Sequence, residues 1–210
     1  MTLPTRVALA VVNRIAEGSL SIEFLCMKNR VRDAAILLLS LYELQLDLQY
    51  IARHPSRAET WIDHCEQDKK PWRVASQLRE IYTNPGELKA ERWLYRTYSM
   101  AKHCNPVGTH FAFPLSATRH TLILDMADTN NPMIRAHMFG LGVSMSRAGT
   151  AAASIWMSEG LDVGDFTTDL DRHCEKLSRY NEDYIVSLLQ QTSFAQTPDE
   201  ESGTPQEGPD

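Results

Sequence analysis

The 210-residue chain has only four cysteines, Cys26, Cys65, Cys104 and Cys174, with no CxxC pair among them. That spacing speaks against a disulfide framework and fits reduced thiols. Long hydrophobic runs are also missing. The longest, Ala34 to Tyr42, is interrupted by Ser40 and closed by Glu43, well short of the ~18 residues that span a bilayer. Val7 to Val12, the apolar run nearest the N-terminus, is too short for a secretory core. These absences predict a cytoplasmic protein with no membrane partner. There is no Walker loop, no GxGxxG behind a strand, no GxSxG and no kinase motif set, which removes the common nucleotide-binding and hydrolase templates. Gly140-Leu141-Gly142 falls inside a helical pattern, where close packing explains it.

What is present reads as one folded domain. With 43% hydrophobic and 23% charged residues, and a mean hydropathy of -0.33, the composition is that of a globular chain, and 210 residues suit a single core. The net charge of -6 is unevenly spread, because Asp199, Glu200, Glu201, Glu207 and Asp210 carry five of the negative charges and leave residues 1–198 at -1. That tail also holds three prolines and two glycines from Thr197 onward and has too little apolar surface to offset ordering entropy. A domain over 1–195 and a disordered acidic tail over 196–210 are expected.

Apolar periodicity predicts an all-α bundle of about six helices around one long central helix. A short first helix opens near Pro4 and ends at Gly18. A heptad-like face then runs from about Leu20 to Arg53, through Phe24, Met27, Val31, Ala34, Leu38, Leu41 and Leu48, and stops at His54-Pro55. Ser56 is placed as the N-cap of a third helix, which is interrupted near Lys70-Pro71 and resumes to Tyr82. A fourth helix spans Glu87 to about Cys104, between Asn84-Pro85-Gly86 and Asn105-Pro106. The stretch 108–131 is left open between strand and loop. Asn131-Pro132 begins a helix to about Gly160 with a stripe of small residues, and Asp165 is placed as the cap of the last helix.

Three His-Cys pairs, His64-Cys65, His103-Cys104 and His173-Cys174, raise the question of zinc. Neighbours on a helix point about 100° apart, so one pair does not supply two ligands to one ion, and no metal or cofactor is expected. Glu43 and Asp47 are four apart and read as a solvated face, with Glu43 partly buried against an arginine. Tyr42, Tyr50, Trp93, Tyr95 and Tyr98 read as core or interface aromatics.

The fourth helix carries the chemistry. Arg96, Ser99 and His103 share one helical face, and Lys89, Arg92, Arg96 and Lys102 against Glu91 give residues 89–103 a net charge of +3. A guanidinium that steadies charge on a phosphorane and an imidazole that moves a proton at the ribose 2′-hydroxyl or the leaving oxygen suffice for RNA cleavage without a metal. Structural roles stand beside this one: a salt bridge from Arg96 to Glu43, and a cationic His103 at the helix C-terminus. Arg57-x6-His64 repeats the spacing, but Arg57 follows a helix break.

Arg96-x6-His103 resembles the arginine-x(4–6)-histidine motif of the HEPN superfamily. Leu39-Ser40-Leu41-Tyr42-Glu43-Leu44 with Tyr50-Ile51, followed by Tyr95-x3-Ser99-x3-His103, is similar to an uncharacterised family of bacterial helical proteins. The resemblance implies a metal-independent endoribonuclease of toxin–antitoxin or antiviral defence systems. It places catalysis on Arg96 and His103 with Ser99 as accessory, and implies a homodimer that builds a composite site, with RNA and an antitoxin or other protein as partners. Thr97 stands where the superfamily commonly has Asn, Asp or His, and Leu39 where the helical family often has arginine. On those differences rests the alternative, a non-catalytic helical interaction or regulatory protein.

Overall fold

The structure, a computed structural model, describes residues 1–64, 71–102, 132–173 and 175. They form α1 (Leu3–Met27), α2 (Val31–Arg53), α3 (Arg57–Asp63), α4 (Val74–Ile81), α5 (Pro85–Lys102) and α6 (Pro132–Ser158), with a further helical stretch over 164–173. The described residues contain no strand, and the all-α class is established. The open segment 108–131 and the acidic tail 196–210 lie outside the described residues.

Helix α2 is the centre, packed against α1, α4, α5 and α6. Its Leu38, Leu46, Leu48 and Ile51 are fully enclosed. Although α2 is long and apolar enough to cross a membrane, these positions serve here as the core of the bundle. Tyr42 and Leu46 meet Leu78, Ile81 and Tyr82 in a smaller cluster beneath α4.

The long helix expected from Leu20 to Arg53 is two helices. Gly18 does not terminate the first, which continues to Met27. A Cβ at Gly18 would lie 2.7 Å from Leu41 Cδ2, so the bare glycine lets α1 close on α2. The break falls at Asn29, whose φ of 51° is a left-handed conformation that asparagine tolerates. Arg30 N–H donates to the Leu25 carbonyl at 2.8 Å and Asn29 N–H to that of Cys26 at 3.0 Å, the paired bonds of a Schellman stop. The expected heptad face therefore divides at the break: Val31, Ala34, Leu38, Leu41 and Leu48 of α2 are buried, whereas Phe24 and Met27 of α1 are exposed.

Caps differ too. Ser56 makes no side-chain cap bond, and α3 is entered instead from a turn in which Arg57 N–H donates to the His54 carbonyl. Asn84 Oδ1 accepts from Gly86 N–H at 2.8 Å and Glu87 N–H at 3.3 Å. Asn84-Pro85-Gly86 is thus the start of α5, with proline at the first helical position where its missing N–H costs nothing. Near the last helical stretch, Asp162 Oδ1, not Asp165, accepts from the Gly164 N–H at 3.0 Å.

The small residues of α6 allow it to pack against α1 and α2. Gly140 has the closest approach: a Cβ there would sit 2.5 Å from Tyr98 Oη and 3.2 Å from Leu38 Cδ2. Across the same packing, Glu91 of α5 is buried with both carboxylate oxygens engaged. Tyr42 Oη donates to Oε2 at 2.5 Å, and Arg147 Nη2 pairs with Oε1 at 2.8 Å. One acid thus ties α2, α5 and α6 together. Burial, followed by the charge and hydrogen bond of Glu91, pushes the Tyr42 hydroxyl far above its ordinary range, so it stays a donor.

Two outcomes follow from this packing. Gly140→Val inserts methyl groups against Tyr98 and Leu38 and lowers unfolding free energy by about 2 kcal/mol, measured by urea denaturation. Glu91→Ala strands the partly buried Arg147 charge and the Tyr42 hydroxyl, at a cost of about 3 kcal/mol in the same measurement.

Candidate functional site

The candidate site is the outer face of α5. The inner face is fixed by buried Glu91, Tyr98 and Ala101. At about 100° per residue, Lys89 and Arg96 fall on the side opposite Tyr98, with Arg92 and Ser99 on the flank between. Lys89, Arg92 and Arg96 are exposed, and Ser99 is half-buried. Trp93, read from sequence as a core or interface aromatic, is 42% exposed between these cations. The other four aromatics behave as expected: Tyr42 and Tyr98 are buried, and Tyr50 and Tyr95 are half-buried against the core. His103 lies outside the described residues, so the structure brings Arg96 and Ser99 onto one helix and says nothing of the third member.

The expected salt bridge from Arg96 to Glu43 is not formed. Tyr95 Oη donates to Glu43 Oε1 at 3.1 Å, and burial, then the charge and hydrogen bond of Glu43, pushes the Tyr95 hydroxyl up to about 12. Arg96 makes no ion pair among the described residues. The buried arginine–glutamate pair is Arg147 with Glu91 instead, in helices whose sequences gave no sign of pairing. At the end of α5, the Ala101 carbonyl accepts from Arg32 Nε at 3.3 Å, so a cation from α2 meets the negative end of the helix dipole.

Asp47 also departs from the expectation of a solvated face. It accepts from Trp61 Nε1 at 3.0 Å, Trp72 Nε1 at 2.8 Å and Gln77 Nε2 at 2.7 Å. Two indoles and an amide converge on one carboxylate and fasten α3, α4 and Trp72 to α2. Three donors satisfy this acid as a structural clamp. No group of three or more His, Cys, Asp or Glu converges to hold a metal ion among the described residues. No protein-family model, curated protein or solved structure matches the chain.

His137 of α6 is a buried histidine that the sequence reading did not single out. Its Nε2 bonds the Val31 carbonyl at 2.9 Å, and its ring lies 5.9 Å from that of Tyr98, which joins the start of α2 to α5 and α6. Burial lowers its pKa from 6.5 to about 4, partly offset by the Val31 bond, so it is neutral in the folded protein at neutral pH. The unfolded chain takes up this proton below about pH 6.5, whereas the folded chain does so only near 4. Stability is therefore complete above 6.5 and declines as the pH falls toward 4, by about 3 kcal/mol in total. His137→Gln keeps a donor for Val31 and flattens that part of the stability profile, measured by urea denaturation from pH 7 to 4.

Proposed function

We propose that the chain is a HEPN-like, metal-independent endoribonuclease that acts as a cytoplasmic homodimer, in the setting of toxin–antitoxin or antiviral defence. The observation that carries the reading is the outer face of α5. Arg96 stands exposed on it without an ion pair among the described residues, in line with Lys89 and Arg92 and beside exposed Trp93. Cations that track phosphates, interleaved with an aromatic that offers a stacking surface, form the footprint of a single-stranded nucleic-acid binder. The all-helical fold is compatible with the superfamily resemblance.

In this reading Arg96 binds the scissile phosphate and stabilises charge on the phosphorane. His103 transfers the proton at the ribose 2′-hydroxyl or the leaving oxygen, and Ser99 assists.

A specific feature favours the non-catalytic alternative. Leu20, Phe24 and Met27 are exposed at four- and three-residue spacing on α1, an apolar stripe suited to a protein partner. A nuclease assay separates the two readings. Purified protein is expected to cleave single-stranded RNA in EDTA, and Arg96→Ala and His103→Ala, both folded by circular dichroism, to cleave about a hundredfold more slowly. Folded wild-type protein that leaves a varied panel of RNAs intact would overturn the nuclease reading and leave the interaction module.

A further inference from the structure

The outer side of α1 carries a seam that no described residue covers. Leu9, Asn13, Ala16, Leu20 and Met27 are all exposed and follow one another in steps of four, three, four and seven residues, the a and d spacing of a coiled coil. Exposed Arg6 and Glu23 continue the same spacing. The large apolar members stand well out of the core: Leu9 is 52% exposed, Leu20 68% and Met27 69%, with Phe24 at 55% on the flank. Neither Arg6 nor Glu23 forms an ion pair among the described residues.

Charge and shape decide the occupant. Laid antiparallel on a second copy of itself, α1 can set each a position against a d position. In that register Arg6 meets Glu23 of the partner subunit, Leu9 meets the partner's Leu20, and Asn13 meets the partner's Ala16, each contact occurring twice about a twofold axis. Opposite charges close the seam, the leucines lie inside them, and polar Asn13 sits near the axis, where a seam asparagine fixes register. A parallel pairing instead sets Arg6 against the partner's Arg6, a like-charge contact that disfavours it. Arg6, Leu9, Ala10 and Asn13, with Met1, also line a depression on the N-terminal half of α1. As successive a, d, e and a positions they are the four corners of a hole that takes one knob from a facing helix, and in the antiparallel register that knob is Leu20 of the partner subunit.

We propose that α1 is the seam of an antiparallel, twofold homodimer, in which a second copy of the chain covers Leu9, Leu20, Phe24 and Met27. The inference stands independently of the ribonuclease reading, since the seam uses neither α5 nor His103 and its test contains no RNA.

Sedimentation equilibrium of the full chain from about 1 to 200 μM tests this, with a Kd of about 10 μM expected for an interface of this small size. Leu20→Glu, at an exposed position, keeps the thermal stability of dilute wild-type protein and weakens association about a hundredfold. Arg6→Glu or Glu23→Arg alone sets like charges together and weakens it about tenfold, whereas the two combined restore wild-type association. That exchange also guards against a Leu20 variant that misfolds. The proposal is overturned if wild-type protein stays monomeric at the highest concentration, if folded Leu20→Glu dimerises like wild type, or if the double charge exchange fails to recover association. A wild-type monomer that loses thermal stability on Leu20→Glu overturns it in favour of another segment of the same chain on this face.

Discussion

A carboxylate buried in a helical bundle is tolerable only when its oxygens are matched, and Glu91 is matched from two directions at once, by the Tyr42 hydroxyl of α2 and the Arg147 guanidinium of α6. That requirement fixes the rotation of α5 about its own axis. With Glu91, Tyr98 and Ala101 turned inward, Arg92 and Arg96 must face solvent. The same acid takes one edge of Arg147, whose guanidinium carbon lies 5.4 Å from the centre of the Tyr82 ring. The exposed basic face of α5 is therefore a consequence of how one buried charge is neutralised. Burial works against the Arg147 charge, yet its hydrogen bond to Glu91 and the electrostatic pull of Tyr82, Glu91 and Tyr42 outweigh it and raise its pKa. The guanidinium stays cationic.

Other polar groups serve the bundle in the same manner. Asp47 gathers Trp61, Trp72 and Gln77, which holds the short helices α3 and α4 in place. Neither is long enough to be stable by itself. His137 reaches the Val31 carbonyl in the first turn of α2 and stays neutral in doing so. Cys26 is buried, and burial raises its thiol to about 11, so it behaves as a small apolar side chain. Specificity in this fold rests on a few satisfied polar contacts set into a core of leucine, alanine and glycine contacts.

The helices were legible in the sequence because amphipathic periodicity is local: α5 and α6 fall within a few residues of their expected limits. The errors were at punctuation. Gly18 reads as a stop, yet it is an interhelical contact with Leu41, and Asn29 carries no sign of a stop until its left-handed φ is known. Of the candidate site, the grouping of Arg96 with Ser99 on one face follows from helical spacing. The exposure of Trp93 does not, since an aromatic within an amphipathic pattern is equally compatible with core. The pairing of Arg147 with Glu91 left no trace, because Arg147 sits in a run of small residues whose composition speaks only of packing.

The sequence by itself determined the all-α class, the position of most helices and a basic stretch on the fourth predicted helix, since each depends on residues within a turn or two of one another. Only the tertiary structure decided which acid meets which arginine. Glu43 went to Tyr95 and Glu91 to Arg147, a pairing set by how three helices rotate and approach. Those rotations depend on side-chain volumes met across the bundle, such as the bare Cα of Gly140 beneath Tyr98, and such long-range contacts have no signature in a linear pattern.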